Sequence, residues 1–199
     1  LKVLYEYSQR GERGCAELLL KRFKDETLYN HDTKEWLKYD NGVWIKDSIS
    51  NITWRSQKFL LEVFPEVARL SEGQEFRLKQ LARDDSDNEQ ELKREASRYK
   101  KNALSFDKTK KAITYKKTSD QILALLATEE DIGTATTDFD QHPLLINLQN
   151  GYYDLEQDQF YDSDPKKRFL CQFRTNFTPE AKPEKWIKFL ETIFEGDQE

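Results

Sequence analysis

The sequence predicts an α+β fold, mainly helical with two short β-hairpin elements, one near the N-terminus and one C-terminal. Three observations carry this. Asn41-Gly42 and Asn150-Gly151 each separate short aromatic or aliphatic runs, and both residue types accept the positive φ of tight hairpins. Between them, apolar residues recur at three- and four-residue spacing, the period of helices with one buried face. Only seven Gly and five Pro occur in 199 residues, too few for an all-β sandwich.

The first unit, residues 1–50, is expected to be a helix plus a hairpin. From Gly11, Ala16, Leu19, Leu20 and Phe23 fall on one helical face, and Lys21, Arg22 and Lys24 suit the negative end of the helix dipole. After a polar turn, Trp36–Tyr39 and Val43–Ile45 flank Asp40-Asn41-Gly42. Alternation places Trp44 and one cross-strand neighbour on the inner face.

The second unit, residues 51–128, is read as a helical bundle. Ser50 or Asn51 can cap a helix carrying Trp54, Phe59, Leu60 and Val63, and Pro65 should interrupt it or start the next. A further helix holds Phe76, Leu78 and Leu81, and the acidic run Asp84–Asp87 ends it. The carboxylates suit the start of another helix, with Leu92, Ala96, Tyr99 and Ala103 on one face. Thr118 or Ser119 can cap a last helix over 120–128, with Ile122, Leu123, Leu125 and Leu126 as its apolar stripe.

The third unit, residues 129–199, is expected to be a β-hairpin element and a linker helix. Leu144–Leu148 and Tyr152–Leu155 flank a turn at Asn150-Gly151 whose Gly should have positive φ. Phe160-Tyr161 adds a third strand, and Phe169–Phe177 alternates loosely as a fourth. Pro183 opens a short helix with Trp186, Phe189, Leu190 and Ile193 on one face.

A formal charge of -5 and a pI near 5.3 argue against binding nucleic acid over the whole surface. Charge is nevertheless uneven, because ten basic residues between Lys93 and Lys117 face only Glu95 and Asp107. Lys100, Lys101, Lys108, Lys110, Lys111, Lys116 and Lys117 are the candidate DNA-binding residues, able to track phosphates, and Tyr99, Phe106 and Tyr115 among them can stack on unpaired bases. The competing readings are a solvated helix face balanced by the acidic run, and a subunit interface. Cys15 and Cys171 have no metal-ligand spacing and suggest free thiols in a reducing compartment, a disulfide between them staying open. No apolar run approaches the roughly 20 residues of a membrane span, so no membrane partner and a cytoplasmic location are expected. With no Met anywhere, Leu1 is not expected to be a native start, and the chain reads as part of a longer protein.

Catalytic and metal-binding constellations are not expected. Asp138-x-Asp140 and Asp162-x-Asp164 have a spacing that metal-dependent nucleotidyl transfer could use, but their Thr, Ser and Pro neighbours favour acidic turns. His31 and His142 stand without companions. No G-x-x-x-x-G-K-[ST] loop is present, so the chain itself is not expected to bind or hydrolyse ATP.

Residues 139–155 carry a family resemblance. Phe139, Asp140, Pro143, Asn147, Asn150, Gly151, Asp154 and Leu155, with Ile146 where Leu is usual, match an F-D-x-x-P-x-x-L-N-x-x-N-G-x-x-D-L pattern. The hairpin from Trp36 to Trp44 resembles a W-x-x-x-D-G-x-W motif with one extra residue, Asn41. Pro183, Trp186, Phe189, Leu190, Ile193, Phe194, Gly196 and Asp197 match a P-x-x-W-x-x-F-L-x-x-I-F-x-G-D stretch. Together these resemble the module preceding the superfamily 3 helicase motor in phage, plasmid and poxvirus-type replicative primase-helicases. One departure is Glu156–Gln159, where a Thr-Gly turn is usual.

The resemblance implies that Asp140, Pro143, Asn147, Asn150, Gly151, Leu155 and Trp186 are signature positions with structural roles, and that the linker helix leads to an ATPase motor not contained in this chain. It also implies single-stranded or forked DNA, other subunits of a hexameric ring and a primase domain as partners. ATP and Mg would belong to that motor, leaving this segment without a cofactor. The module would contribute DNA positioning, primase–motor coupling or ring assembly; an interaction or oligomerisation module without DNA contact is the alternative.

Overall fold

A computed structural model describes residues 2–85 and 87–194. Helix α1 (Lys2–Gln9) precedes the expected first helix α2 (Gly11–Phe23), and its Tyr7 and Ser8 are buried. Strand β1 (Thr27–Asn30) follows in the stretch read as a polar turn. The first hairpin is β2 (Glu35–Asp40) with β3 (Val43–Asp47), in the register Asp40↔Val43, so Asn41-Gly42 is a two-residue turn. The φ values of 48° and 92° at those residues are those of a type I′ turn, whose twist suits the flanking strands. The extra Asn41 thus occupies the first corner of the turn.

Pro65 does not end a helix. Ser48, not Ser50 or Asn51, caps α3 (Ile49–Asp84) by accepting the Asn51 N–H, and the helix continues for 36 residues. An interior proline costs about 3 kcal/mol. Here that is offset by burial on both sides of it, since Leu60, Phe64, Val67 and Ala68 all face the core, and each large apolar side chain contributes about 1.5–3 kcal/mol. Trp54, Phe76 and Leu81, expected on the helical faces, are exposed.

Asp85 closes the next turn by accepting the N–H groups of Asp87 and Asn88. Helix α4 (Glu89–Ile113) then runs back along α3, burying Ala96, Asn102, Ala103, Phe106 and Ile113. Helix α5 (Lys116–Leu126) begins after a two-residue link, earlier than expected. Ser119 is not its cap: its hydroxyl donates to Ile113 O and accepts from Gln57, tying α5 to α3 and α4.

A four-stranded sheet has the order β3-β2-β1-β4, where β4 is the two-residue strand Gly133–Thr134, parallel to β1. Both faces are covered. Trp36 joins the helical core with Cys15, Leu19, Leu60, Phe64, Phe106, Leu126 and Ile132, whereas Leu28, Leu37 and Trp44 pack with Phe139 on the other side. Tyr39 is the neighbour that pairs with Trp44, the rings 5.3 Å apart.

The C-terminal unit is a three-stranded meander, β5 (Leu145–Leu148), β6 (Gly151–Asp154) and β7 (Gln159–Tyr161). Its first turn is Gln149-Asn150, because Leu148 pairs with Gly151, so the expected corner moves by one residue. Gly151 does have positive φ, 154°, and cross-strand crowding independently requires glycine: a Cβ there would lie 2.1 Å from Tyr161 O. The expected fourth strand is reduced to one parallel bridge, Leu148↔Phe173. Helix α6 (Glu184–Phe194) follows with no buried residue; Gly196 and Asp197 lie outside the described residues.

Candidate nucleic-acid interface

Helix α4 positions the basic segment. At about 3.6 residues per turn, Arg94, Lys101 and Lys108 fall on one stripe opposite the buried face, with Lys93, Lys100 and Lys111 along its edge and exposed Leu104 within it. From Arg94 to Lys111 the stripe and its edge run for about 26 Å. Lys110 is exposed too, yet lies nearly half a turn from Lys108. Lys116 and Lys117, exposed in the first turn of α5, continue the positive surface past the elbow. Cations in that place oppose the helix dipole, a cost of about 0.3–1 kcal/mol.

These charges are not neutralised locally. Among the described residues, Lys93 pairs with Glu89, whereas Arg94, Arg98 and the seven candidate lysines have no carboxylate within ion-pair distance. Nor can the acidic run balance them: Asp85 is engaged in its own turn. Lys101 is about 18 Å along α4 from its first residue and Lys111 about 33 Å, at 1.5 Å per residue. Both exceed the Debye length of about 8 Å at physiological salt. Of the aromatic candidates, Phe106 is fully buried against Phe64 and Tyr5, Tyr99 is half-buried, and Tyr115 is exposed.

The signature residues form a separate, structural constellation. Asn147 is 5% exposed, and its amide donates to the carbonyls of Gly42 (3.0 Å) and Cys171 (2.9 Å), joining the first hairpin's turn to the C-terminal segment. Asn150 donates to Phe177 O (3.0 Å) and accepts from Phe177 N (2.9 Å). Asp140, at φ 52°, accepts the Leu170 N–H. Residues 168–177 are therefore fastened across both hairpins by these side chains together with single backbone bonds such as Trp44 N–H to Phe169 O and Phe173 N–H to Asn147 O. Gln172 adds bonds to the carbonyls of Asn41 and Leu148, and Trp44 donates to Pro165 O; the sequence contained no spacing signal for either. Leu155 closes the hairpin's open end through its N–H to Leu144 O, Pro143 is exposed, and Trp186 stands apart on α6.

Three of the four carboxylates in the two pairs, Asp138, Asp140 and Asp164, already accept hydrogen bonds within the protein. Asp138 accepts from Ala135 N, the Thr134 hydroxyl and Arg168, and these bonds, the Ala135 N–H foremost, hold its carboxyl below the ordinary range. Asp164 accepts the Lys166 N–H. Among the described residues, no three His, Cys, Asp or Glu side chains group as a metal site. A cleft of about 460 Å³ is lined by Lys24, Lys166 and Arg168 together with Asp25, Glu130 and Asp131, a balance that favours neither anion nor cation.

No curated protein matches the chain. The model of the family described as "D5 N terminal like" matches residues 16–195, which takes in both hairpins, the basic segment and all of α6. The chain belongs to this family, the N-terminal region of D5-like primase-helicases.

Proposed function

We propose that this module holds single-stranded DNA along α4 and the start of α5, positioning it for a motor elsewhere in the same primase-helicase, of superfamily 3 type and ring-forming. The observation that supports this most is the stripe of cations on α4, exposed and without carboxylate partners. Lysine and arginine contacts to phosphate release counterions, and a stripe on one straight helix can follow a backbone without reading its sequence. Holding the strand in this way requires neither ATP nor Mg²⁺, and the protein's setting is the cytoplasm of a bacterium or infected cell. No helix among the described residues is long and apolar enough to cross a membrane.

Replacing Lys101, Lys108 and Lys111 together by Ala tests the stripe; Lys110 is left in place because it faces elsewhere. Affinity for a single strand should fall for every sequence alike, and the log–log salt slope should flatten by up to about two units, at about 0.7 per lost contact. Unchanged affinity and slope, in this chain and in the full-length protein, would overturn the proposal.

A second reading has its own observation. Helix α6 exposes Trp186, Ile187, Phe189, Ile193 and Phe194, and none of its residues is buried. An apolar face of this kind suits docking to another subunit or to a primase domain, so α6 supports an interaction role beside the DNA-holding one.

A further inference from the structure

We infer that Tyr115 is a stacking platform for an unpaired base, which makes this surface select single strands over duplex. The inference rests on the DNA-holding role of the α4 stripe and assigns the step that role lacks, contact with the bases. Tyr115 is 67% exposed, in contrast with buried Phe106 and half-buried Tyr99 in the same segment. Its ring has no aromatic, cationic or hydrogen-bonding partner among the described residues. Trp54 and Trp186 differ in this respect: Lys58 lies over one and Phe189 stacks on the other.

The main chain beneath the ring is fixed. Tyr115 sits in the two-residue link between α4 and α5, its N–H donating to Ala112 O at 3.1 Å and its carbonyl accepting from Ser119 N at 3.2 Å. Lys111 precedes it and Lys116 and Lys117 follow, all exposed. A strand whose phosphates meet lysines on both sides of the elbow presents its bases to the ring between them. Stacking of this kind tolerates any base, because every base has a π-face, but it requires that the base be unpaired.

The test compares a 20-residue oligothymidylate, an abasic strand of equal length and a 20-base-pair duplex, each bound to wild type, Tyr115→Ala and Tyr115→Phe at low salt. Wild type should prefer oligothymidylate to the abasic strand. Tyr115→Ala should weaken oligothymidylate binding by at least about fivefold, in line with the loss of one stacked base, and leave the abasic strand and duplex unaltered. Tyr115→Phe should retain wild-type affinity. Equal binding of oligothymidylate by wild type and Tyr115→Ala, or an equal loss on all three nucleic acids, would overturn the inference while leaving the lysine stripe standing. Failure of wild type to bind any of the three would overturn both. Matching melting temperatures will show that the variants are folded.

Discussion

At the scale of single residues, one group of side chains stabilises the fold by satisfying backbone groups far away in sequence. Asn147→Ala removes, from a largely buried place, the donor to two carbonyls 105 and 24 residues distant. Leaving such groups unpaired costs about 1–3 kcal/mol, which urea unfolding will show as a lower midpoint. Asp138 acts through its charge. Because its folded carboxyl titrates below the ordinary value, its contribution is complete above about pH 4 and is lost as pH falls through the lowered value. Asp138→Asn should therefore be less stable than wild type at pH 7, and the gap should close as the pH falls through the lowered titration of Asp138. The two thiols are both free and differ sharply. Burial, and secondarily the charge of Glu12, pushes Cys15 up to about 12, whereas Cys171 is exposed. A thiol reagent at pH 8 should modify one cysteine in the native protein and two after unfolding.

Among the elements, legibility followed the range of the forces involved. The Asn41-Gly42 hairpin was readable because its turn chemistry is local. Strands β1 and β4 were not, since four residues and two residues leave little periodicity and their pairing, Tyr29↔Gly133, joins distant parts of the chain. The same limit hid the role of Asn147: a family pattern marked the position, but only the fold shows which carbonyls it reaches. The seven lysines were found by composition, while the division that sets Lys110 apart required the buried face of α4. Helix α3 shows a local stop signal overridden by packing, and Pro65→Ala should therefore stabilise it by up to about 3 kcal/mol, raising the melting temperature by several degrees. Gly151→Val should act oppositely and by at least about 1 kcal/mol, because its side chain would meet the Tyr161 carbonyl.

For the molecule as a whole, the charge map separates surface from stability. A net charge of -5 conceals a segment with eight more basic than acidic residues, and because seven of its lysines make no ion pairs among the described residues, neutralising three of them should leave the melting temperature nearly unchanged. Coincident loss of DNA affinity and of fold would contradict that separation. The tryptophans divide in a similar way. Trp36 and Trp44 are buried in the two cores, while Trp54 and Trp186 are each 59% exposed. Optically, the protein therefore contains two populations of emitters: acrylamide should quench one pair readily and spare the other. In a Trp54→Phe background the quenchable, red-emitting signal belongs to α6 alone, so any subunit or domain that covers that helix will announce itself as a blue shift, without a label.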